Sequence, residues 1–524
     1  MRITYLGHSG FIVETAQTII VMDPWVSPNG AFDAAWFQYP KNHHMADIVR
    51  SLLSSSDKDK YIYISHEHKD HFDIDFLTSL PNRDFTLVLA DFYHSIVKQD
   101  LAAINYECKD IISLKNDESL PFKDGSMTLF VIDMELDADS AILVQSDSGT
   151  FLNLNDSKPH DQLHAIAEKY SPIDVFSGQF SGAIWHPTCY KMDEKHYEAV
   201  CRHKNKSKFK MLAQSLDILK PAVFLPSAGP PCFLDPILFP IQLQKINTYP
   251  RARQLLDFLD HHFADNPIST QWSEIMPGDV LDVPTRAFVE RVSTRVEDDE
   301  FVDYITAYAE EYTSFFAERA KENAKIDPAV VFKQLKKELD EKLECMHLVR
   351  QYIQTKLYFA LDEYTEAMYC IDFMNNEITL TDNIEDKEQF FSITTPAWQV
   401  EKVLSGSMSW ADFSLAFRAT LQRVPDVYNT LSHAYLTLNT DRLAHFCQLY
   451  HDISLKEERI TVDSEGSSYS VLRYCPHQGG DLANAKVKDG ILVCPRHGWK
   501  FDLKNGGKCL HAEASIDATP CESE

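Results

Sequence analysis

Ile64-Ser65-His66-Glu67-His68-Lys69-Asp70-His71 follows directly on the apolar run Tyr61-Ile62-Tyr63-Ile64. The run is short, aromatic and β-branched, which reads as a buried strand. Side chains placed just past a strand's end stand on a rigid support and project from the following loop. Three imidazoles and a carboxylate packed between positions 66 and 71 suit two adjacent metal ions. His66 and His68 would hold one ion, Asp70 and His71 the other. Mixed imidazole and carboxylate donors fit zinc, iron or manganese. The alternative, a solvated polar loop with chance histidines, fits less well, because the motif stands in the strand-to-loop context that it needs.

The bulk properties bound what surrounds this loop. A chain of 524 residues has room for several domains, and 44% hydrophobic with 24% charged residues is ordinary for globular protein. Lys and Arg number 50 against 78 Asp and Glu, a net charge of −28. Such a surface argues against wholesale binding of nucleic acid or of an anionic membrane, while leaving room for a local basic pocket. No apolar run approaches the ~18 residues of a membrane helix. The N-terminus runs straight into a strand pattern with no signal-peptide layout. Eleven scattered cysteines do not form a disulfide framework. A reducing, cytoplasmic setting is therefore expected.

Upstream of the histidines, Ile3–Leu6 and Phe11–Glu14 read as a hairpin around Gly7-His8-Ser9-Gly10. Thr18–Met22 is a third strand, ending at Asp23-Pro24-Trp25. Gly-His-Ser-Gly, Asp-Pro-Trp and His66-Glu67-His68-Lys69-Asp70-His71, in that order, resemble the metallo-β-lactamase fold. The branch resembled is the one with a following Trp36 and Pro40. The resemblance implies a β-sandwich flanked by helices (αββα), with metals at one edge. Asp23 would then orient a ligand histidine, and His8 would stand behind the ligands. Residues 72–150 alternate helix and strand patterns, with strands at 85–90, 127–133 and 141–145 and a helix at 91–103.

The resemblance extends further. Glu135-Leu136-Asp137-Ala138-Asp139 falls where that family usually supplies another histidine. A carboxylate there, Asp137 or else Glu135, would add charge and a hard oxygen, favouring iron or manganese over zinc. Phe151–Asn155 reads as a strand ending at Asp156, in the place of the family's bridging aspartate. His186, after the small-residue stretch Ser177–Ala183, is expected to complete a metal shell, to contact substrate, or simply to pack beside Trp185. Lys195–Lys210 is basic in an acidic chain. It reads as an exposed helix face, or as a site for phosphate or for an acidic electron donor. Pro221–Pro230 lacks the final histidine of many relatives, which weakens a plain hydrolase reading.

Beyond residue 250 the pattern becomes helical, with long amphipathic helices expected over 288–322 and 329–364. A hairpin is expected at 368–373 and 377–381, around Asn375-Asn376. The stretch 405–429 resembles the end of a small sterol-carrier-like α+β module. Trp410–Arg418, with Arg423 and Tyr428, is similar to the matching stretch of CMP-N-acetylneuraminate hydroxylases. So are Asp23-Pro24-Trp25, Asn155-Asp156, Phe180–Ala183 and Pro226–Gly229. Arg418 and Arg423 are candidates for an anionic substrate, or for simple pairing with Asp412 and Asp426.

The C-terminal stretch carries a second ligand set. Cys475-Pro476-His477 and Cys494-Pro495-Arg496-His497 form C-x-H and C-x-x-H, separated by sixteen residues. Cys475, His477, Cys494 and His497 are the ligand set of a Rieske [2Fe–2S] cluster, two thiolates on one iron and two imidazoles on the other. A Cys2His2 zinc site is the rival. Gly479-Gly480 and Gly498-Trp499 stand where respiratory-type Rieske loops carry extra cysteines. An oxygenase- or ferredoxin-type cluster is therefore implied.

Four domains are expected: 1–245 holding the metal site, 246–365 helical, 366–452 small α+β, and 453–524 an all-β Rieske domain. A one-electron relay fits iron that activates O2 better than hydrolytic zinc. The expected function is a Rieske-dependent non-haem iron hydroxylase, with one or two irons, acting on a nucleotide sugar or another small metabolite. Its electrons would come from an outside ferredoxin, small cytochrome or reductase, and homo-oligomers are allowed for. The hydroxylases resembled carry their Rieske domain first, so the changed order leaves the substrate open. The alternatives are a hydrolase with a redox-regulatory cluster and a reductase of O2 or NO.

Overall fold

A computed structural model describes residues 1–293, 295–296 and 298–521. The positions of the expected 288–322 helix at 294 and 297, and the end of the 453–524 domain at 522–524, lie outside the described residues. The chain divides into two compact units. The first comprises Met1–Asp133, Asp137–Thr188 and Glu194–Glu318, and the second Met134–Leu136, Cys189–Asp193 and Arg319–Glu524.

The first unit is the expected αββα sandwich. One sheet has eight strands, in the order 287–290, 280–282, 2–7, 10–14, 18–22, 59–64, 86–90 and 110–114. The other has seven, in the order 271–272, 223–227, 175–179, 149–153, 139–146, 125–132 and 118–122. Alternation along each strand explains the layers, because successive side chains point to opposite faces. Phe11, Val13, Ile20, Met22 and Tyr63 enter the core between the sheets, where they meet Met127, Leu129, Ile142, Val144 and Phe151. Ile12, Ile19, Val21, Ile62 and Ile64 pack on the opposite face, with Met45, Val49 and Leu53 of helix Met45–Ser55. Thr18–Met22 is buried along its whole length for this reason. Helices Leu163–Tyr170, Glu194–Leu219 and Ala252–His262 cover the outer face of the second sheet through Leu163, Leu212, Leu216, Leu255 and Leu259.

This unit continues past the expected boundary at 245. Ala287–Glu290 pairs antiparallel with Val280–Asp282, which pairs in turn with Arg2–Gly7. The expected 288–322 helix therefore begins only at Phe301, as Phe301–Glu310 followed by Thr313–Asn323. Sheet pairing at an open edge overrides a helical pattern whose apolar spacing suits either state.

In the second unit, helix Pro328–Cys345 stops well short of 364. Leu357–Leu361 is instead the centre of a five-stranded sheet, antiparallel to Tyr364–Asp372 and parallel to Phe390–Thr395. The expected hairpin is present, with Asn376 in the left-handed region at φ 54°. Tyr190 bridges Leu421 at the sheet's other side, where the Lys191 amide donates to the Leu421 carbonyl at 2.7 Å. Two small sheets follow. One contains Arg459–Ser464, Ser467–Leu472 and Thr519–Pro520, the other Lys486–Lys488, Ile491–Val493, Lys500–Asp502 and Lys508–Cys509. Val471, Leu482, Leu492, Phe501 and Ile516 form their core. Among the described residues no helix is long and apolar enough to cross a membrane.

Phe151 is fully buried and meets Phe11 of the facing sheet edge-on, with ring centroids 5.3 Å apart. Phe151→Ala is expected to cost the first unit about 3–5 kcal/mol. Calorimetry should show a lowered unfolding transition, and an unchanged one would contradict this account of the core.

Candidate metal centres

Strands Thr18–Met22 and Asp59–Ile64 run parallel, with Met22 opposite Tyr63, so their following loops emerge side by side. Asp23 stands at the end of the first strand with φ 39°, and its amide donates to the Tyr63 carbonyl at 3.0 Å. Its fully buried carboxylate accepts from the Ser65 amide at 2.8 Å, the Ser65 hydroxyl at 2.6 Å and His71 Nδ1 at 2.8 Å. Donation from Nδ1 fixes the tautomer that leaves the Nε2 lone pair for a metal. Asp23 thus stands behind His71.

His71 Nε2 faces a carboxylate-lined pocket. It lies 3.7 Å from Asp156 Oδ1 and 3.9 Å from Asp70 Oδ2. His8, His71 and Asp156 each offer a donor atom within 4.8 Å of the others. His8 Nε2 also approaches Asp70 Oδ2 at 3.1 Å. His71 Nε2, Asp70 Oδ1 and Asp156 Oδ1 are buried with no hydrogen-bond partner. Native structures leave few such atoms, and the convergence of His8, His71 and Asp156 donors is what a cation requires. The electrostatics agree. Burial works to lower the pKa of His71, but Asp70, Asp23 and Asp156 outweigh it and hold it up at about 10. The pocket favours positive charge at that ring, and these donors fit a metal ion.

His66 and His68 form the neighbouring half. His66 Nε2 and His68 Nδ1 face each other at 2.8 Å, and the His66 ring lies 4.2 Å from that of His71. An ion held by the first pair would sit beside one held at His71. His66 Nδ1 is 3.2 Å from Asp139 Oδ1 and 3.0 Å from Ser65 Oγ. Burial and His66 itself set the charge at His68, whose pKa falls to about 4, so its ring is neutral and ligand-competent at neutral pH.

The other candidates are distributed differently from expectation. Asp137 Oδ1 accepts from Lys158 Nζ at 3.0 Å. Glu135 belongs to the second unit, where Arg442 Nε donates to Oε2 at 2.7 Å and His445 Nδ1 lies 2.6 Å from Oε1. The acid beside the histidines is Asp139, buried at the start of strand Asp139–Ser146. The available signal was a carboxylate directly ahead of the apolar run Ala141–Val144. His8, expected behind the ligands, stands among the donor atoms; its φ of 51° in the Gly-His-Ser-Gly turn aims it there. His186 lies at the kink of the short turn Trp185–Thr188, ahead of helix Glu194–Leu219 and outside the trio of His8, His71 and Asp156, and its carbonyl accepts from Lys204 Nζ at 2.7 Å. Arg423 Nε donates to Asp426 Oδ1 at 2.7 Å, the simple pairing. Arg418 is buried, with its guanidinium 5.4 Å from the Trp398 ring centre.

The second constellation is built from two similar loops. The Gly479 amide donates to the Cys475 carbonyl at 2.8 Å, and the Gly498 amide to the Cys494 carbonyl at 2.9 Å. Gly479 and Gly498 share a left-handed conformation, at φ 68° and 71°. Cys475 and Cys494 are both buried and unbridged. Hydrogen bonding from Cys475, against the cost of burial, holds the Cys494 thiol below its ordinary pKa, and backbone amides of His497 and Arg496 add to it. The His477 and His497 rings lie 4.7 Å apart, and Trp499 stacks on His477 at 4.2 Å and 11°. A Cβ at Gly480 would come within 3.4 Å of Cys494 Sγ and 3.2 Å of Arg496 Cβ, so glycine keeps the space beside the thiolate clear. Two paired thiols and two adjacent imidazoles fit the two irons of a Rieske cluster.

Comparison with known proteins agrees with both domains. Residues 2–135 match the β-lactamase superfamily domain, and residues 442–520 the Rieske [2Fe–2S] domain. A Mycolicibacterium smegmatis protein, whose name provisionally makes it a Rieske 2Fe-2S iron–sulfur protein, is 29% identical over 97% of this chain and 98% of its own. A short segment is 40% identical to the oxygenase component of 3-ketosteroid-9-alpha-monooxygenase from Rhodococcus rhodochrous, covering 10% of this chain and 12% of that one. Among solved structures, CmlA, a di-iron β-hydroxylase of Streptomyces venezuelae, covers 54% of each chain at 15% identity and a TM-score of 0.36.

Asp23→Asn would leave His71 without its carboxylate partner and is expected to weaken metal retention about 10–100-fold against a competing chelator. Asp139→Asn should weaken it more than Asp137→Asn does, and equal effects would contradict the assignment of the acid. Gly480→Ala is expected to lower the visible absorbance of the cluster per chain without unfolding the first unit, as followed by circular dichroism.

Proposed function

Because this chain joins a β-lactamase-superfamily domain to a Rieske [2Fe–2S] domain, we propose that it is a hydroxylase of small molecules, using O2 and electrons from an outside donor. The balance is substrate C–H, O2, two electrons and two protons giving C–OH and water. The observation that carries this reading is the presence in one chain of two largely buried constellations with different donor chemistry. Cys475, Cys494, His477 and His497 suit one-electron transfer, while His8, His66, His68, Asp70, His71 and Asp156 suit hard, oxygen-activating metal. When bound, the cluster supplies single electrons and non-haem iron supplies activation of O2.

The chain's own residues do the rest. Asp23 holds the His71 proton on Nδ1. Asp139 and Ser65 flank Nδ1 of His66 and hold that ring in register. Asp70 and Asp156 supply negative charge that makes a divalent iron the favoured occupant over a neutral environment. Burial of His71, Asp70 and Asp23 excludes water, which strengthens these interactions and limits wasteful side reactions. The similarity of a short segment to a monooxygenase's oxygenase component supports a cluster that gives electrons to an oxygenation. The chain's charge of −28 favours a donor with a basic docking face.

The test is isotopic. Iron-loaded protein with a reducing system, 18O2 and candidate substrates is expected to yield product carrying one 18O by mass spectrometry. Cys494→Ser should abolish cluster absorbance and product together. Label arriving from water instead would indicate a hydrolase with a regulatory cluster. Oxygen uptake with unlabelled product would indicate a reductase.

A further inference from the structure

Two of the basic residues of Lys195–Lys210 do not behave as an exposed helix face. Lys195, Lys206 and Lys210 of helix Glu194–Leu219 are exposed, but Lys204 and Lys208, one turn apart, are half-buried and point inward. Lys204 Nζ donates to the carbonyl of His186 at 2.7 Å. Lys208 Nζ donates to Oε1 of Gln179, the last residue of strand Val175–Gln179. The Gln179 acceptor is neutral. A third cation, Lys158, follows Asp156 by two residues and is held by Asp137 at 3.0 Å.

These groups share one region. Lys208 feels repulsion from Lys158 and Lys204 and attraction from Asp156 and Asp137; burial and the two lysines together bring its pKa down to about 7. Holding the half-buried Lys208 ammonium on the neutral Gln179 side chain, with two further lysines near it, costs free energy that an arriving anion recovers. The approach is open. Gly182 is exposed, and a Cβ built there would stand 3.6 Å from Lys208 Nζ and 3.8 Å from Gln179 Oε1, so glycine leaves the space before the ammonium clear. In a chain of net charge −28, such a cluster is a selective local attraction for negative charge.

We propose that Lys208, with Lys204 and Lys158, receives an anionic group, phosphate or carboxylate, of the small molecule acted on at the adjoining Asp156 centre. That this molecule is the one oxidised rests on the hydroxylase reading; anion capture itself does not. Lys208 sets which substrates bind, and Asp137 holds Lys158 in place for the same group.

Calorimetric titration of the iron-loaded, anaerobic full chain with pyrophosphate and, separately, citrate tests this and tells the two anion classes apart. At least one is expected to bind with 1:1 stoichiometry. Lys208→Met should weaken it about tenfold or more, and Lys208→Arg should retain most of the affinity. Lys206→Met, on the exposed side of the same helix, should leave it unchanged. Circular dichroism and cluster absorbance report whether each variant is folded. Binding of neither anion, equal affinity of Lys208→Met and the parent, or an equal loss in Lys206→Met would overturn the proposal. Lysine-dependent binding without 18O incorporation would leave it standing and remove the hydroxylase reading.

Discussion

The carboxylate of Asp23 receives three hydrogen bonds in a place from which water is shut out. A buried carboxylate is costly unless its lone pairs are satisfied, so this one locks Ser65 and His71 to the end of strand Thr18–Met22. Everything else at the first centre is placed relative to that lock. His71 turns Nε2 toward Asp70 and Asp156, and the Ser65 hydroxyl lies within hydrogen-bonding reach of His66 Nδ1. The result is an electrostatic imbalance in the carboxylates' favour, which a metal ion corrects and a neutral ligand does not.

The second centre solves a related problem by repetition. Each loop folds back on its own cysteine carbonyl through a glycine in the left-handed region, so thiol and imidazole leave each loop together. Trp499 covers one face of His477, and Gly480 leaves the thiolate side uncrowded. Two thiols stand with imidazoles here, whereas the first centre combines imidazoles with carboxylates, so the two centres differ in donor softness.

Much of this architecture was legible because the relevant signals are local. The strand at 18–22 is covered on both faces throughout and that at 59–64 over Ile62–Ile64, so both carry apolar runs. Cys475–His477 and Cys494–His497 carry their ligand spacing within single loops. Less legible was the span 288–322, where edge pairing with Val280–Asp282 converted the first residues to strand. The acid that stands beside His66 was also not singled out within its segment. Asp137 and Asp139 are two residues apart and chemically alike, and only the loop path into strand Asp139–Ser146 puts one at Lys158 and the other at His66. The Glu135 carboxylate meets Arg442 and His445, residues far along the chain.

The amino-acid order by itself determined the donor types, the strand and helix periodicities around them, and hence the two domains. Those properties depend on neighbours a few positions away. Only the tertiary structure decided that His8, His71 and Asp156, distant in the chain, offer atoms within 4.8 Å of one another. It alone decided that Lys208 turns inward while Lys206 does not. Convergence of that kind follows from strand register and sheet stacking, which sum contributions from the whole core, and no short stretch encodes it.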